Sequence, residues 1–176
     1  MIKVGIVDDH AIVRSGLKQF FSEQVDLRVV GEAASGREAI DLVRNDPDLD
    51  VLVLDLSMPG QSGMDALGMI RAKAPEVGIL ILSGYPEEHY AMNMIRQGAS
   101  GYLSKECEPK EIVEAIRVIA TGRRYISPTV AELLAQQLDR KGSIAPHEQL
   151  SDRVFLVFLK LAMGETAGDV ATELSL

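Results

Sequence analysis

VLVLDLSMPG, at residues 51–60, is the stretch that decides the fold of this 176-residue chain. Its first four residues are apolar and follow one another without a polar break, which is typical of a strand buried on both faces of a parallel sheet. The strand ends at Asp55, and Pro59 and Gly60 then break the pattern. Ligands of open α/β sheets bind outside the carboxyl ends of the strands. Asp55 is therefore either a turn residue or part of a binding site, and the remaining sequence has to decide.

Strand-like and helix-like segments alternate along the first 121 residues. Apolar runs predict strands at residues 4–7, 27–34, 51–54, 79–82 and 101–103. Apolar residues at helical spacing predict helices at 11–23, 36–43, 63–73, 87–96 and 108–121. Strands that alternate with helices form βαβ units. The predicted fold class is therefore α/β, with a doubly wound, five-stranded parallel sheet and helices on both faces.

The pattern changes after Gly122, where no further strand is legible. Pro128 lies near the start of a predicted helix that runs to Leu138, with Ser127 as its cap. The polar segment at 139–147 has the composition of a linker, and helical segments follow at 150–163 and 166–174. We therefore divide the chain into a domain at 1–121, a helical linker at 122–149 and a partial all-α unit at 150–176.

The composition argues against several classes of protein. The net charge of −8 does not suit a nucleic-acid or anionic-membrane surface over the whole chain, since both favour an excess of Lys and Arg. The single cysteine, Cys107, cannot form an intrachain disulfide and fits a reduced compartment. The N-terminus lacks the pattern of a signal peptide, and no apolar run is long enough to span a membrane. We expect a cytoplasmic protein that does not bind membranes.

Four of the predicted strands end in polar side chains. Asp8 and Asp9 follow the first strand and Asp55 the third. Ser83 follows the fourth strand and Lys105 the fifth, so all of these residues lie at one edge of a parallel sheet. The clustered carboxylates would repel one another unless a hard cation such as Mg²⁺ lay between them. A lysine and a hydroxyl beside them can hold a phosphoryl group, and a carboxylate can accept that group as an aspartyl-phosphate.

Each of these residues also has an ordinary structural explanation. Asp8 and Asp9 can cap the first helix. Ser83 can belong to a turn, and Lys105 can be a solvated surface residue. Their joint position at the strand ends favours a site for phosphoryl chemistry. The rival enzyme is a Mg²⁺-dependent aspartyl phosphatase, but such enzymes usually have a second acid two residues after the nucleophile, where this chain has Ser57.

Residues 1–121 resemble the response-regulator receiver domains of two-component signalling. The resemblance rests on the segments VDDH at 7–10, LDLSMPG at 54–60, LSG at 82–84 and GASGYLSK at 98–105. It implies the sheet order 2-1-3-4-5 and a protein that accepts a phosphoryl group from a sensor histidine kinase. Self-catalysed gain and loss of that group would be its chemistry, so we do not expect a turnover enzyme.

The resemblance also implies roles for single residues at the acceptor. Asp55 is the phospho-acceptor, and its carboxylate helps to hold Mg²⁺. The other implied ligands of the ion are Asp8, Asp9 and the backbone carbonyl of Ser57. Mg²⁺ is therefore the expected cofactor, since it is usually held by one or two carboxylates together with phosphate oxygens.

The remaining implied roles concern catalysis and switching. Lys105 contacts the phosphoryl oxygens, Ser83 is the hydroxyl that turns toward them, and Tyr102 is the aromatic residue whose rotamer follows. Gly84 leaves the site open to the donor. Many receiver domains have a proline in a cis peptide directly after the lysine, where this chain has Glu106, so the geometry of that bond stays open.

The C-terminal part resembles the LuxR-type helix-turn-helix of the NarL/FixJ subfamily through residues 111–128, 150–153 and 164–176. Val154 stands where that subfamily usually has Glu. A basic recognition helix would follow, but residues 151–176 contain two basic and four acidic residues and the sequence stops there. We expect promoter DNA to bind the full-length protein and not this chain, which would be truncated by design, by nature or by processing. The alternative is a receiver-only interaction protein that no longer binds DNA.

A regulator of this subfamily reads paired DNA half-sites, which requires a two-fold symmetric protein. We therefore expect a homodimer on phosphorylation, through one of two faces. One face runs from the fourth to the fifth helix and includes Tyr90, Met94 and Tyr102, while the other combines exposed residues of 11–23 and 108–121. The apolar residues of both faces are equally compatible with a place in the core.

Overall fold

The structure of the protein, a computed structural model, describes residues 1–58 and 63–139 and the single residues Val154, Val157 and Gly168. Those three single residues are helical. The rest of the partial all-α unit predicted at 150–176, and the second part of the linker at 140–149, lie outside the described residues.

Five strands alternate with five helices, and a sixth helix follows, within the described residues. The strands are β1 Ile2–Val7, β2 Leu27–Ala33, β3 Val51–Leu54, β4 Gly78–Ser83 and β5 Gly101–Ser104. The helices are α1 Ala11–Ser22, α2 Gly36–Asn45, α3 Gly63–Lys73, α4 Glu87–Arg96, α5 Pro109–Ile119 and α6 Pro128–Asp139. The strands and helices predicted for residues 1–138 are confirmed. None of the helices that the structure describes combines the length and apolar character needed to cross a bilayer.

The sheet is parallel throughout and has the order β2-β1-β3-β4-β5, which confirms the predicted fold class. The pairing of residues at the ends of two pairs of strands positions the site. Val7 at the end of β1 is paired with Leu54 at the end of β3, so the residues that follow them are neighbours. Ser83 at the end of β4 is paired with Ser104 at the end of β5. The topological switch point of this fold lies between β1 and β3, where such sheets bind their ligands.

The sheet separates two apolar cores. Side chains of β3 alternate between them, because Leu52 and Leu54 face one core and Val51 and Val53 face the other. The first core is covered by α2, α3, α4 and α6, and the second by α1 and α5. This double burial explains why the central strand has no polar alternation.

Helix α6 packs on α4 and completes the first core. Val130 is 1% exposed, and Leu134 packs against the same cluster. Beneath α6, Tyr90 and Met94 are fully buried and Tyr102 is 1% exposed. The face from α4 to α5 that the sequence offered for dimerisation is therefore not available through these three residues. They belong to the first core, in which α4 packs on β5 and α6 packs on α4, and the helical periodicity of a single segment does not show such packing.

Two glycines of α3 respond in opposite directions to the same substitution. A Cβ atom at Gly63 would lie 2.1 Å from the backbone oxygen of Asp55, whereas a Cβ atom at Gly68 would meet nothing within 4 Å. We expect Gly63→Ala to lower the free energy of unfolding by about 1–3 kcal/mol, because backbone atoms must move apart. Gly68→Ala should raise it by about 0.5–1 kcal/mol, because alanine is the better helix former. Urea unfolding measures both values, and the same sign for the two variants would contradict this close approach of α3.

Candidate functional site

Backbone hydrogen bonds fix the positions of the polar residues at the carboxyl edge of the sheet. The amide of Asp55 donates to the carbonyl of Val7 at 2.9 Å, which extends the pairing of β1 with β3 by one residue. The amide of Lys105 donates to the carbonyl of Ser83 at 2.8 Å, which does the same for β4 and β5. The acceptor candidate and the lysine are therefore placed by the sheet itself rather than by a free loop.

Lys105 lies between two buried carboxylates. Its Nζ atom is 2.7 Å from Oδ2 of Asp8 and 2.8 Å from Oδ2 of Asp55. Asp8 is 2% exposed and Asp55 is 1% exposed. Burying such charges is costly unless an opposite charge pairs with them. The ammonium group of Lys105 is therefore the internal counter-ion of the site.

Burial and pairing shift the pKa values of this cluster. Burial raises the pKa of Asp55 above its usual value, and the hydrogen bond from Lys105 opposes this shift without cancelling it. The neighbouring carboxylate of Asp8 adds a smaller contribution that also raises the pKa. Burial lowers the pKa of Lys105, but its hydrogen bonds to Asp55 and Asp8 outweigh burial and raise the pKa above its usual value. Lys105 therefore stays positively charged at neutral pH.

Four residues offer ligand atoms that could hold a cation. One such atom from each of Asp8, Asp9, His10 and Asp55 lies within 4.8 Å of the others. Within the described part of the chain, Oδ1 of Asp9 is buried and has no hydrogen bond of adequate geometry, although His10 Nδ1 lies 2.9 Å away. Carboxylate oxygens are the ligands that hard divalent cations prefer. The chemistry of the cluster therefore fits such a cation, with oxygen ligands from three aspartates.

Two residues that the sequence did not single out support the acidic turn. Arg14 donates from Nη1 to the backbone oxygen of Asp8 at 2.6 Å, and the amide of His10 donates to Oδ1 of Asp8 at 2.8 Å. His10 stands inside the VDDH segment and could have been noticed there. Arg14 lies in α1, and its contact depends on the side chain folding back, for which the sequence has no signal.

Ser83 and Tyr102 hold the loop that follows β4. The buried hydroxyl of Ser83 accepts a hydrogen bond from the amide of Tyr85 at 3.2 Å, and Tyr102 donates its hydroxyl to the carbonyl of Tyr85 at 2.8 Å. Burial raises the pKa of Tyr102 well above its usual value, and a hydrogen bond with Ser83 opposes the shift. The ring of Tyr85 stacks on Tyr90 with a centroid distance of 4.6 Å. One network therefore joins both residues predicted to switch.

The other predicted residues take simpler positions. The amide of Ser57 donates to Oδ1 of Asp55 at 3.2 Å, so Ser57 orients the carboxylate through its backbone. Gly84 is exposed, and a Cβ atom there would meet nothing within 4 Å. The described residues contain no cis peptide, so the bond between Lys105 and Glu106 is trans. Gly84 therefore borders open space, as expected of a site that a donor approaches.

Comparison with known proteins agrees with this arrangement. Residues 4–117 match the family model described as the response regulator receiver domain. Response regulator UvrY of Escherichia coli (strain K12) is 34% identical, with 100% of this chain and 81% of UvrY aligned. Response regulator GacA of Pseudomonas aeruginosa is 32% identical, with 100% of this chain and 82% of GacA aligned.

The fold is similar to that of solved receiver domains. A crystal structure of a two-component response regulator of the LuxR family from Aurantimonas sp. SI85-9A1 superposes with a TM-score of 0.72 and is 36% identical. The match covers 78% of this chain and 98% of that one. The receiver domain of the response regulator NarL from Mycobacterium tuberculosis superposes with a TM-score of 0.65 at 33% identity, over 69% of this chain and 98% of that one.

Removing the internal counter-ion should destabilise the protein. Lys105→Met leaves two buried carboxylates without the ammonium that contacts both, so we expect the free energy of unfolding at neutral pH to fall by about 2–4 kcal/mol. Mg²⁺ should restore part of this loss because it replaces the missing positive charge, and it should therefore raise the melting temperature more in the variant than in the parent protein. Thermal unfolding with and without Mg²⁺ measures both effects.

Lys18→Met is the matched control for this experiment. Lys18 is an exposed residue of α1 that pairs with Glu32 at the surface, and surface pairs contribute little. Equal stability of the two lysine variants would show that Lys105 does not balance the buried charges.

Proposed function

The chain belongs to the NarL/FixJ-type response regulators of two-component signalling, and we propose that Asp55 is its phospho-acceptor. The observation that supports this assignment is the contact of Lys105 Nζ with both Asp8 and Asp55 at the carboxyl edge of the sheet. The proposed donor is the phosphohistidine of a sensor histidine kinase. In the transfer, the P–N bond of the donor breaks and a P–O bond to a carboxylate oxygen of Asp55 forms.

The surroundings of Asp55 suit phosphoryl transfer, which depends on positioning and charge neutralisation more than on covalent machinery. The amide of Ser57 and the ammonium of Lys105 contact different oxygens of the carboxylate, and this fixes its plane before the donor arrives. Lys105 then follows the negative charge from the carboxylate to the phosphoryl oxygens. The hydroxyl of Ser83 supplies a further hydrogen bond to that group.

The proposed cofactor is Mg²⁺, held by Asp8, Asp9, Asp55 and the backbone carbonyl of Ser57. The clustering of the Asp8, Asp9 and Asp55 carboxylate oxygens within 4.8 Å of one another supports this ligand set. The ion would neutralise charge on the transferring phosphoryl group. The side chains of this protein orient the carboxylate and exclude bulk water from it.

Asp55 should be the single residue that accepts the phosphoryl group. With Mg²⁺ and acetyl phosphate, the parent protein should gain one phosphoryl group by intact mass, and Asp55→Asn should gain none because an amide cannot accept it. Asp9→Ala should remain folded and be labelled more slowly, because it loses a metal ligand. Asp48→Asn, at an exposed position between α2 and β3, is the control and should be labelled normally. Labelling of the Asp55→Asn variant on another aspartate would overturn the assignment.

We further propose that the chain is a signalling protein and not a turnover enzyme. Ser57 stands where an aspartyl phosphatase usually has its second acid, so a group that activates water is missing at that position. Sustained hydrolysis of a small phosphoester by the purified chain would contradict this proposal. Cytoplasmic localisation remains a prediction.

The proposed output is regulation of transcription through the C-terminal segment. The similar proteins UvrY and GacA are response regulators, and a solved structure that is 36% identical to this chain is described as LuxR family. Promoter DNA is therefore the proposed partner of the full-length protein and not of this chain. The acidic balance of residues 151–176 disfavours DNA binding by that segment itself.

We propose that phosphorylation promotes a homodimer through α1. Ile12 on this helix is 87% exposed, and a Cβ atom at Gly16, one turn later, would meet nothing within 4 Å. An exposed apolar side chain, next to a glycine that leaves room for another side chain, suits packing against a second helix. Arg14 of the same helix binds the backbone of Asp8, so a rearrangement at the acidic turn would reach this surface directly.

Ile12→Lys should weaken the phosphorylated dimer by about tenfold or more, because it places a charge in an apolar contact. Sedimentation with and without beryllofluoride, a mimic of the phosphoryl group, measures the dimer constant. Val25→Lys is the matched control, since Val25 is 95% exposed in the loop between α1 and β2. Equal dimer constants for the two variants would exclude the surface around Ile12.

A further inference from the structure

Ser127 makes two hydrogen bonds that join two helices. Its hydroxyl accepts from the amide of Val130 at 3.3 Å, as a residue that caps α6 does. The same hydroxyl donates to Oε2 of Glu87, the first residue of α4, at 2.5 Å. Ser127 is 3% exposed. Capping alone does not require the second bond, so the start of α6 is fastened specifically to the start of α4.

The fastened helix covers the core beside α4. Val130 and Leu134 of α6, together with Ile126 before it, pack against the cluster that contains Tyr90 and Met94. Most of the remaining residues of the α6 surface are exposed or half-exposed. Among the described residues, the helix is thus held by an apolar stripe and by the partly buried hydrogen bond of Ser127. In the chain, it also directly precedes the C-terminal segment that resembles part of a helix-turn-helix.

The other end of this contact lies near the phosphorylation site. Tyr85 lies in the loop between β4 and α4, and Glu87, the first residue of α4, follows it by two residues. Both backbone groups of Tyr85 are held by the switch residues, since its amide donates to Ser83 and its carbonyl accepts from Tyr102. An unbroken series of hydrogen bonds and short chain segments therefore leads from the end of β4 to α6. It passes through Ser83, Tyr85, Glu87 and Ser127.

We propose that α6 is a releasable cover on α4, held by the bond from Ser127 to Glu87 and freed when Asp55 is phosphorylated. When the hydroxyl of Ser83 turns toward the phosphoryl group, the amide of Tyr85 loses its acceptor. Because a partly buried amide that loses its acceptor is destabilised, the loop from β4 to α4 rearranges and takes Glu87 out of reach of Ser127. The inference rests on the proposed phosphorylation of Asp55 and adds the element that transmits it.

Thermodynamic linkage makes the proposal measurable from both directions. If the phosphoryl group favours the state with α6 released, then release of α6 by other means must favour binding of a phosphoryl mimic by the same factor. A substitution that breaks the contact between Ser127 and Glu87 should therefore tighten the binding of beryllofluoride, although it lies outside the acceptor site.

The first measurement is hydrogen–deuterium exchange of the full chain with and without beryllofluoride and Mg²⁺. Amides of α6 should exchange about fivefold or more faster with beryllofluoride, while those of β1 and β3 keep their protection. Fluorine NMR reports bound beryllofluoride in the same samples, with Asp55→Asn as the unbound reference. No bound signal in the parent protein would contradict the proposed function. A bound signal with unchanged exchange of α6 would overturn the release of α6 alone.

The second measurement compares two neighbouring glutamates in the first turn of α4. Glu87→Ala and Glu88→Ala remove equal charge from the start of that helix, but the hydroxyl of Ser127 donates to Glu87. Glu87→Ala should speed exchange of α6 without any mimic and lower the half-saturating beryllofluoride concentration by about fivefold. Glu88→Ala should change neither. Identical behaviour of the two variants would overturn the role of Glu87.

Charged substitutions at Ser127 and Glu87 distinguish the contact between these two residues from the capping of α6 by Ser127. Ser127→Asp keeps an oxygen that can cap α6 and places a second carboxylate against Glu87, so α6 should be released in the absence of any mimic. Adding Glu87→Lys to that variant should restore protection of α6, because the pair is then oppositely charged. Failure of the double variant to exchange more slowly than Ser127→Asp would contradict a direct contact as the fastening.

Discussion

The structure depends on one ammonium group held between two buried carboxylates. Asp8 and Asp55 follow paired positions of β1 and β3, so the parallel register forces two negative charges together in a place that water barely reaches. Lys105, which follows β5, closes that site from the far side of β4. The ammonium group of Lys105 thus balances the two carboxylates when no phosphoryl group is bound. The same ammonium group lies where it can balance the charge of an incoming phosphoryl group, so no new site has to form.

The same arrangement links chemistry to shape. Under the proposed assignment, a phosphoryl group on Asp55 would attract Lys105 and Ser83, and the residues around it are bonded to neighbouring segments. Ser83 is bonded to the loop before α4, and Asp8 is bonded to α1 through Arg14. The site is therefore surrounded by segments whose hydrogen bonds compete with the transferred group, which is what a switch requires.

The fold and most of the residues at the sheet edge can be predicted from the sequence, for physical reasons. The central strand is buried on both faces, so its unbroken apolar run predicts both its type and its place, and a parallel sheet then brings Asp8, Asp55, Ser83 and Lys105 to one edge. What the sequence does not contain is the return of a later helix onto an earlier one. Tyr90 and Met94 have the spacing of a surface stripe and of a core stripe alike, and only the tertiary packing of α4 decides between them. Arg14 illustrates a second limit, because a side chain that folds back to a carbonyl leaves no periodic signal.

The division of the interior by the sheet has a consequence for evolution. One core is shared by α4 and α6, and the other by α1 and α5, with β3 contributing different side chains to each. Substitutions within one core can therefore alter the response of one surface while the opposite surface keeps its packing. A single chemical event at the sheet edge can in this way drive two responses whose strengths are inherited separately, so that related proteins can gain, lose or rebalance either one without rebuilding the acceptor.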